Sequence, residues 1–343
     1  MGMESLRPWI EAAKYLSAWD LLGTARTSRL WRKVTEAEEV WLELVERQSE
    51  GLITDEVRTV AGSPKRLYRA LYTAPCLHYV AGPNLYRFPI PFRNLPIRET
   101  LAGSTVLTKA SFLIRLPDSS IFACGGDHSS SSFFDYGLRC TYRLYPLTLT
   151  TQSLADLPTR RCYPCGLYYH GSVYIFGGSD YRNMLKTAVK YELAAGKWRE
   201  LPEMLEARCS TTPCLQGCEV YLVGGVPATG AEAFNVNTER YRLLPISLGG
   251  VADSVTVVTN QELIIFTLKT VYTYALPDCS LVHSASIDSD NYVWSHTQPL
   301  IHHGEVWFYY WHRECLALFT LSSRKFRLLP ALPYTQMTSK AVV

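Results

Sequence analysis

The chain has 343 residues, of which 47% are hydrophobic and 19% charged, a composition that excludes an intrinsically disordered protein. Its net charge of +3 gives no reason to expect nucleic acid, and no basic run is long enough to indicate a membrane surface. The ten cysteines are scattered, which favours buried free thiols over a disulfide framework. No stretch of 18 apolar residues occurs, so we predict a cytoplasmic or nuclear protein without a membrane partner.

Residues 1–50 carry apolar side chains at helical spacing, and they include four of the eight tryptophans. Pro8 suits the first turn of a helix, and Thr35 followed by acidic residues fits a capping box that opens the last helix. We therefore expect a three-helix domain over 1–50. About fifty residues make a marginal core, so part of its apolar surface is expected to wait for a partner.

The spacing of these anchors resembles an F-box, over about 42 residues. The matching positions are Leu6 with Pro8, Leu16, Asp20–Leu22, Ser28–Arg32, Trp41 and Leu44. Arg7 departs from the pattern, because it separates the leucine from the proline. An ordinary three-helix bundle is the alternative interpretation.

An F-box docks on the adaptor subunit of a cullin-based ubiquitin ligase, so the resemblance implies the adaptor and the cullin scaffold as partners. The residues that the resemblance assigns to adaptor binding are Leu6, Pro8, Leu16, Leu21, Leu22, Trp31 and Trp41. Residues 51–75 would then form a linker. Ser63-Pro64 opens a short helix in this linker, since a capping residue followed by proline is typical of a helix start.

Residues 76–343 repeat a unit that is clearest at 171–209. An apolar strand ends in Gly177-Gly178, a tyrosine-containing strand and a tryptophan-containing strand follow, and Leu201-Pro202 closes the unit. Glycine pairs recur after strands at Gly125-Gly126 and Gly224-Gly225. Three strands cannot bury their own faces, so each unit needs neighbours. Two weaker units without glycine pairs follow, with strands expected at 262–266, 270–275, 305–310, 315–320 and 325–329.

These units resemble kelch repeats, which implies a mainly β fold: a β-propeller over 76–343, preceded by the helical domain. The closing Leu-Pro pairs predict six blades, with seven as the less favoured count. The first unit offers strands at 77–81, 85–90 and 92–95 but no leading strand. The tail Thr338–Val343 would supply it and close the ring.

Catalytic and metal-binding motifs find little support. Cys162 and Cys165 have C-x-x-C spacing, but no second pair lies at metal-ligand distance, so buried thiols are favoured. His302, His303 and His312 lack further ligands in the sequence. We therefore predict no cofactor, no metal and no enzyme activity; a kelch-like copper oxidase is the enzymatic alternative.

Kelch propellers usually bind partners through loops after the glycine strand and before each leading strand. The positions that the resemblance assigns to target binding are Asp127, His128, Arg160, Arg161, Ser179, Asp180, Tyr181, Arg182, Arg208, His312 and Arg313. Clustered arginine would suit an acidic or phosphorylated segment. A serine run at 129–132 followed by Phe133 and Phe134 lengthens one of these loops.

The function that these resemblances imply is a non-catalytic substrate receptor of a cullin-based ubiquitin ligase, whose propeller binds an unknown target protein. The alternative is a kelch-propeller interaction scaffold, cytoskeletal or regulatory, with no link to ubiquitination.

Overall fold

A computed structural model describes most of the chain. The described residues are 3–14, 16, 21, 25, 28–50, 52–53, 55–68, 76–81, 84–89, 97–100, 102, 111–127, 137–180, 182–228, 230–248, 254–259, 261–267, 270–286, 299–302, 304–310 and 315–328. Five helices precede a series of antiparallel sheets, so the fold is mainly β among these residues. None of the described helices is long and apolar enough to span a membrane.

The N-terminal helices share one hydrophobic core around the buried Trp41. They are α1 (Met3–Ala13), α2 (Arg29–Val34), α3 (Glu38–Ser49), α4 (Asp55–Ala61) and α5 (Pro64–Tyr68). The Trp41 indole donates a hydrogen bond of 2.7 Å to the Thr35 carbonyl, and its ring packs against Tyr68. The helices of the expected linker, α4 and α5, therefore pack on the same core as the first fifty residues.

Two local expectations for these helices were wrong. Pro8 lies inside α1, which begins five residues earlier, at Met3. Thr35 does not open α3, because its hydroxyl donates back to the Arg32 carbonyl, and Ala37 precedes the helix without a side-chain cap. The start of α5 was predicted correctly, since the Ser63 hydroxyl accepts a hydrogen bond from the Arg66 amide.

Five four-stranded antiparallel sheets follow one another along the chain as propeller blades. Blade 1 comprises β4 (Phe112–Arg115), β5 (Ile121–Cys124), β6 (Thr141–Tyr145) and β7 (Thr150–Ser153). Blade 2 comprises β8 (Cys165–Tyr169), β9 (Ser172–Phe176), β10 (Ala188–Glu192) and β11 (Lys197–Leu201). Blade 3 comprises β13 (Cys214–Gln216), β14 (Glu219–Val223), β16 (Gly230–Asn235) and β17 (Arg240–Ser247). Blade 4 comprises β18 (Val255–Val258), β19 (Glu262–Phe266), β20 (Thr270–Ala275) and β21 (Ser280–Ser286). Blade 5 comprises β22 (Leu300–His302), β23 (Glu305–Tyr310), β24 (Cys315–Thr320) and β25 (Lys325–Leu328).

Two smaller sheets complete the described β structure. A three-stranded sheet precedes blade 1 and comprises β1 (Cys76–Ala81), β2 (Asn84–Pro89) and β3 (Ile97–Thr100). The two-residue strands β12 (Arg208–Cys209) and β15 (Val226–Pro227) pair beside blade 3. The six-blade count is not confirmed: the first unit has three strands among the described residues, and the tail Thr338–Val343 lies outside them. The two weak units, by contrast, form full four-stranded blades.

The second strand of each blade explains why the blades stack. Every residue of β9 is buried, because both of its faces meet another blade. Val173 and Ile175 pack with the blade 1 core, whereas Tyr174 and Phe176 pack with blade 3. This alternation is what the two-residue period of a strand requires when both faces are covered. Leu85 of the three-stranded sheet likewise packs with blade 1.

The helical unit is anchored to the propeller at blade 1. Tyr145 and Leu147 pack against the helical core, and the Arg143 guanidinium donates 3.4 Å to the Leu52 carbonyl. Glu50, at the end of α3, accepts a hydrogen bond from the Tyr168 hydroxyl of blade 2. Apolar packing and these polar contacts together attach the helical unit to the side of the propeller.

Candidate functional site

The loops before the leading strands of blades 2 and 3 share one local design. Arg161-Cys162 and Arg208-Cys209 each precede a residue with positive φ, Tyr163 at 52° and Ser210 at 56°. The arginine carbonyls accept hydrogen bonds from the glycine pairs of the preceding blades, Gly126 N to Arg161 O and Gly178 N to Arg208 O, both 2.9 Å. The backbone of each Arg-Cys step therefore ties one blade to the next.

The guanidinium groups of the same arginines point into their own blades. Arg161 donates from Nη1 to the Gly177 carbonyl at 2.7 Å and to the Thr187 carbonyl at 2.9 Å. Arg208 donates from Nη1 to the Gly224 carbonyl at 2.5 Å and from Nη2 to Glu232 Oε1 at 2.6 Å. Each arginine thus holds the end of its own glycine strand and, through its carbonyl, the preceding blade.

Burial corrects the expectation that these two arginines face a target protein. Arg161 and Arg208 are both 0% exposed. Glu232, the ion-pair partner of Arg208, is also buried, whereas no carboxylate within the described residues forms an ion pair with Arg161. Burial works against the Arg161 charge and lowers the pKa of that guanidinium. The sequence pattern located both residues correctly at loops, but it could not show which way their side chains point.

The glycine pairs are required by the close approach of these loops. Gly177 has φ of 55°, and a Cβ at that position would overlap the Arg208 carbonyl oxygen. Gly125 has φ of 67°, and its Cβ would lie 2.5 Å from the Arg161 carbonyl oxygen. Only glycine fits both the backbone conformation and the space. The pairs are structural, as the sequence indicated.

The other predicted target-binding residues divide into four groups. Arg160 and Arg182 are exposed, and Asp127 and Asp180 are half-buried. Ser179 is buried and pairs with Cys162 through two backbone hydrogen bonds of 2.8 Å. Four predicted residues lie outside the described residues: His128, Tyr181, His312 and Arg313. The serine and phenylalanine insertion at 129–134 also lies outside them.

An exposed apolar cluster that sequence reasoning missed lies between blades 2 and 3. Tyr163, Met184 and Leu205 are exposed large hydrophobic residues, and we call them the loop-end cluster. Backbone contacts bring them close together. Met184 and Cys162 both form backbone bridges with Ser179, and Cys162 directly precedes Tyr163. The Met204 amide, directly before Leu205, donates to the Lys186 carbonyl at 2.9 Å, two residues after Met184. Tyr163 lies between two buried residues, and Met184 and Leu205 each have one buried chain neighbour, so exposure identifies the cluster where residue type alone did not.

Polar groups surround the loop-end cluster. Burial of the phenol raises the pKa of Tyr163, and the neighbouring Cys162 and Asp127 raise it further, in that order. The Oδ1 atom of Asp127 is buried, and it has no hydrogen-bond partner among the described residues. Asp180 Oδ1 accepts from the amides of Arg182 and Asn183 at 3.0 and 2.8 Å, which fixes the loop that carries the exposed Arg182. The arrangement is an apolar surface with arginine and carboxylate groups at its edge, as at protein–protein interfaces.

The C-x-x-C cysteines are buried thiols rather than a reactive site. Burial raises the pKa of Cys162 to about 11 and that of Cys165 to about 12. Both are free, and each thiol lies 3.3 Å from a backbone carbonyl oxygen, those of Ser179 and Phe176 respectively. Within the part of the chain that the structure describes, no group of three or more His, Cys, Asp and Glu side chains could hold a metal ion.

The residues expected to bind a ligase adaptor are divided between the helical core and its surface. Leu6, Leu21 and Trp41 are buried in the core, which corrects their assignment as contact residues in this conformation. Leu16 and Trp31 are half-buried, Pro8 is exposed, and Leu22 lies outside the described residues. Trp9, absent from that list, is 42% exposed and packs edge-on against Trp31, with ring centroids 5.8 Å apart.

Comparison with known proteins agrees with the repeat analysis. Residues 160–205, which span blade 2, match the family model described as the Kelch motif, and no F-box family match is found. A search of curated proteins finds no match. The motif match and the stacked four-stranded blades together support a kelch-repeat propeller.

Proposed function

We propose that this chain is a non-catalytic substrate receptor of a cullin-based ubiquitin ligase. Its helical unit would bind the adaptor subunit, and the loop end of its propeller would bind a target protein. A kelch propeller suggests a protein-interaction role, and that role is the basis of the proposal. Ubiquitin transfer would then be favoured by proximity, with no chemical step performed by this chain.

The observation that carries the ligase proposal is the Trp9–Trp31 pair on the helical unit, in which Trp9 is exposed and Trp31 half-buried. Tryptophan is enriched at interfaces relative to the rest of the protein surface, and it is enriched among the residues that dominate binding energy. The unit also holds blade 1 through Tyr145 and Leu147, so the pair has a fixed position relative to the propeller. A receptor needs such a fixed separation between its two binding ends.

The experiment that tests this proposal is co-purification of the full chain with the ligase adaptor. We expect wild type and Leu243→Ala to bring down the adaptor, and Trp9→Ala to lose most of it. Leu243 is the matched control, because it is an exposed apolar residue of the propeller. Melting curves of the three proteins establish that each is folded. Absence of the adaptor from folded wild type would refute the ligase assignment.

A second candidate is an interaction scaffold with no link to ubiquitination. The helices share a hydrophobic core with Tyr145 and Leu147 of blade 1, which favours a purely structural role for the helical unit. In that case target binding would persist at the loop end while the adaptor fails to bind. Retention of a target in the absence of the adaptor selects this candidate.

For the target-binding end, we propose the loop-end cluster with Asp127, Arg160 and Arg182 at its edge. Tyr163 would supply the aromatic anchor, since its ring is exposed. Tyr163→Ala should weaken capture of the target, because it removes the exposed ring. Tyr145→Ala, in the helix–propeller contact, should leave capture unchanged in folded protein. Equal capture by both variants would contradict this location.

We also propose that the three-stranded sheet of β1–β3 belongs to a sixth blade whose leading strand comes from residues 338–343. Leu85 already packs with blade 1 as the blade-to-blade contacts do. Deletion of residues 338–343 should then lower the melting temperature of the full chain. An unchanged melting temperature would contradict ring closure by this tail.

A further inference from the structure

The outermost strands of a propeller are edges, each with one row of backbone donors and acceptors facing away from its own sheet. Natural sheets guard such edges with charged residues, proline, bulges or covering segments, because a bare edge pairs with another chain. The five blades can therefore be compared for how each outer strand is guarded.

Four of the five outer strands carry a clear guard. The strands β11, β17 and β25 each present basic side chains: Lys197 and Arg199, Arg240 and Arg242, and Lys325 and Arg327. The strand β7 is uncharged but covered, since the Ala102 amide donates 2.7 Å to the Leu149 carbonyl and Ala102 bridges to Thr150.

The outer strand of blade 4, β21, lacks these guards. Its sequence, SLVHSAS, contains no lysine, arginine, aspartate, glutamate or proline, and it is exposed at every position except the half-buried Ala285. It pairs with β20 on one side, and no strand pairs with its other side among the described residues. Leu281 and Val282 are 56% and 55% exposed.

A bulge adds one apolar residue to this exposed outer strand. Thr273 pairs with His283 and Tyr274 pairs with Leu281, so Val282 is the extra residue. Side chains of a regular strand alternate between faces, and a bulge re-aims one of them. The bulge is the one edge-blunting device that β21 carries, and it adds an apolar side chain to the surface.

We propose that the outer edge of β21 is a docking site for an extended segment of a partner protein, which pairs with it as an added strand. Strand addition takes its affinity from main-chain hydrogen bonds and its specificity from alternate side chains. The segment would be apolar in its middle, to cover Leu281 and Val282, and basic at the end that meets Asp278. Asp278 is exposed and held at the strand start, where its carboxylate accepts from the Ser280 hydroxyl at 3.2 Å.

Charge explains why such a segment would choose this edge. The basic side chains of β17 and β25 repel a basic-flanked segment, whereas Asp278 attracts it.

The side chains of β21 also argue against a second copy of this chain as the occupant. Two-fold antiparallel pairing of complete strands would centre on His283 and bring its two imidazoles together. Seven residues also bury less than the roughly 1,200 Å² of a stable interface, so the partner binds transiently.

Fluorescence anisotropy of the full chain with a labelled peptide, Lys-Thr-Val-Thr-Val-Thr-Val-Lys, tests the proposal. We expect binding to weaken about tenfold or more in Val282→Lys, which places a charge on the edge. Leu243→Lys is the matched control, since it alters an exposed leucine on β17, and should stay within about twofold of wild type. Ser284→Pro, which removes one backbone donor of β21, should repeat the loss. Melting curves exclude unfolding of these exposed variants.

A second peptide with glutamate in place of both lysines tests the role of Asp278. At low salt the lysine peptide should bind about fivefold tighter than the glutamate peptide, and Asp278→Asn should abolish most of that difference. Four results would overturn the proposal. The first two are no binding of the lysine peptide by wild type and equal binding by Val282→Lys. The third is a wild-type dimer that Val282→Lys converts to monomer, which would make a second copy the occupant. The fourth is binding only after residues 287–298 are replaced by a glycine–serine linker, which would make that segment the occupant.

Discussion

Replacement of Arg208 by methionine is the sharpest test of how the blades are joined. Methionine keeps most of the side-chain volume but removes the guanidinium that donates to Glu232 Oε1 and to the Gly224 carbonyl. Glu232 is 1% exposed, so the variant leaves a buried carboxylate whose remaining donor, among the residues that the structure describes, is the Leu205 amide. Removal of one partner of a buried ion pair costs about 3–5 kcal/mol, a large part of the roughly 5–15 kcal/mol that holds a typical domain folded.

The assay is equilibrium unfolding in urea, followed by tryptophan fluorescence and circular dichroism. The double variant Arg208→Met with Glu232→Met should be clearly more stable than the sum of the two single losses predicts, because it leaves no unpaired charge. Arg199→Met is the control: its partner Glu239 and Arg199 itself are both partly exposed, so we expect a loss below about 1 kcal/mol. Arg161→Met should cost less than Arg208→Met, because it leaves no carboxylate behind.

A loss below about 1 kcal/mol for Arg208→Met would refute this reasoning. So would additive losses in the double variant, since they would show that Arg208 and Glu232 do not depend on each other. Either result would mean that the glycine pairs and apolar packing join the blades without the arginine.

Three further predictions concern the glycine loop, the thiols and the helix–propeller contact. Gly177→Ala should destabilise the protein by about 1–3 kcal/mol more than Gly171→Ala in urea unfolding, since both have positive φ but only the first would overlap a neighbouring backbone; equal losses would contradict the crowding. Cys162 and Cys165 have pKa values raised above the unfolded value near 9. The free energy of unfolding should therefore be independent of these thiols below pH 9, and it should fall as the pH rises from 9 towards about 11–12, where the unfolded thiols ionise first. Native protein should react slowly with iodoacetamide at these two thiols, as mass spectrometry of digests would show; rapid labelling would refute their burial. Arg143→Met, which breaks a 2.6 Å ion pair with a buried aspartate and the contact to the helical unit, should lower the melting temperature and speed hydrogen exchange in the helices; unchanged exchange would show that the contact does not hold them.

The repeat could be predicted from the sequence because it rests on backbone requirements. The pairs Gly177-Gly178 and Gly224-Gly225 mark positions where φ is positive and another backbone lies close, and strand periodicity marked even the weak units. The strands 262–266, 270–275, 305–310 and 315–320 were predicted at their observed bounds. Local patterns therefore determined most of the blade architecture.

Side-chain direction could not be predicted in the same way. Arg161 and Arg208 occupy the loop positions that were expected, but a buried glutamate and backbone carbonyls from elsewhere in the blade attract their guanidinium groups inward. Leu21 and Trp41 were assigned to a partner surface, although the helices around them bury both. Such outcomes depend on contacts between residues far apart in sequence. The loop-end cluster and the bare β21 edge likewise became visible only once exposure was known.

The central functional claim is that the helical unit binds the ligase adaptor while the propeller remains free for a target. Isothermal titration of purified adaptor into the full chain measures it most directly. The account predicts a 1:1 complex with Kd of about 1 μM or tighter, lost in Trp9→Ala and kept in Leu243→Ala. Absence of binding heat with folded wild type at several temperatures, or equal affinity in Trp9→Ala, would contradict it.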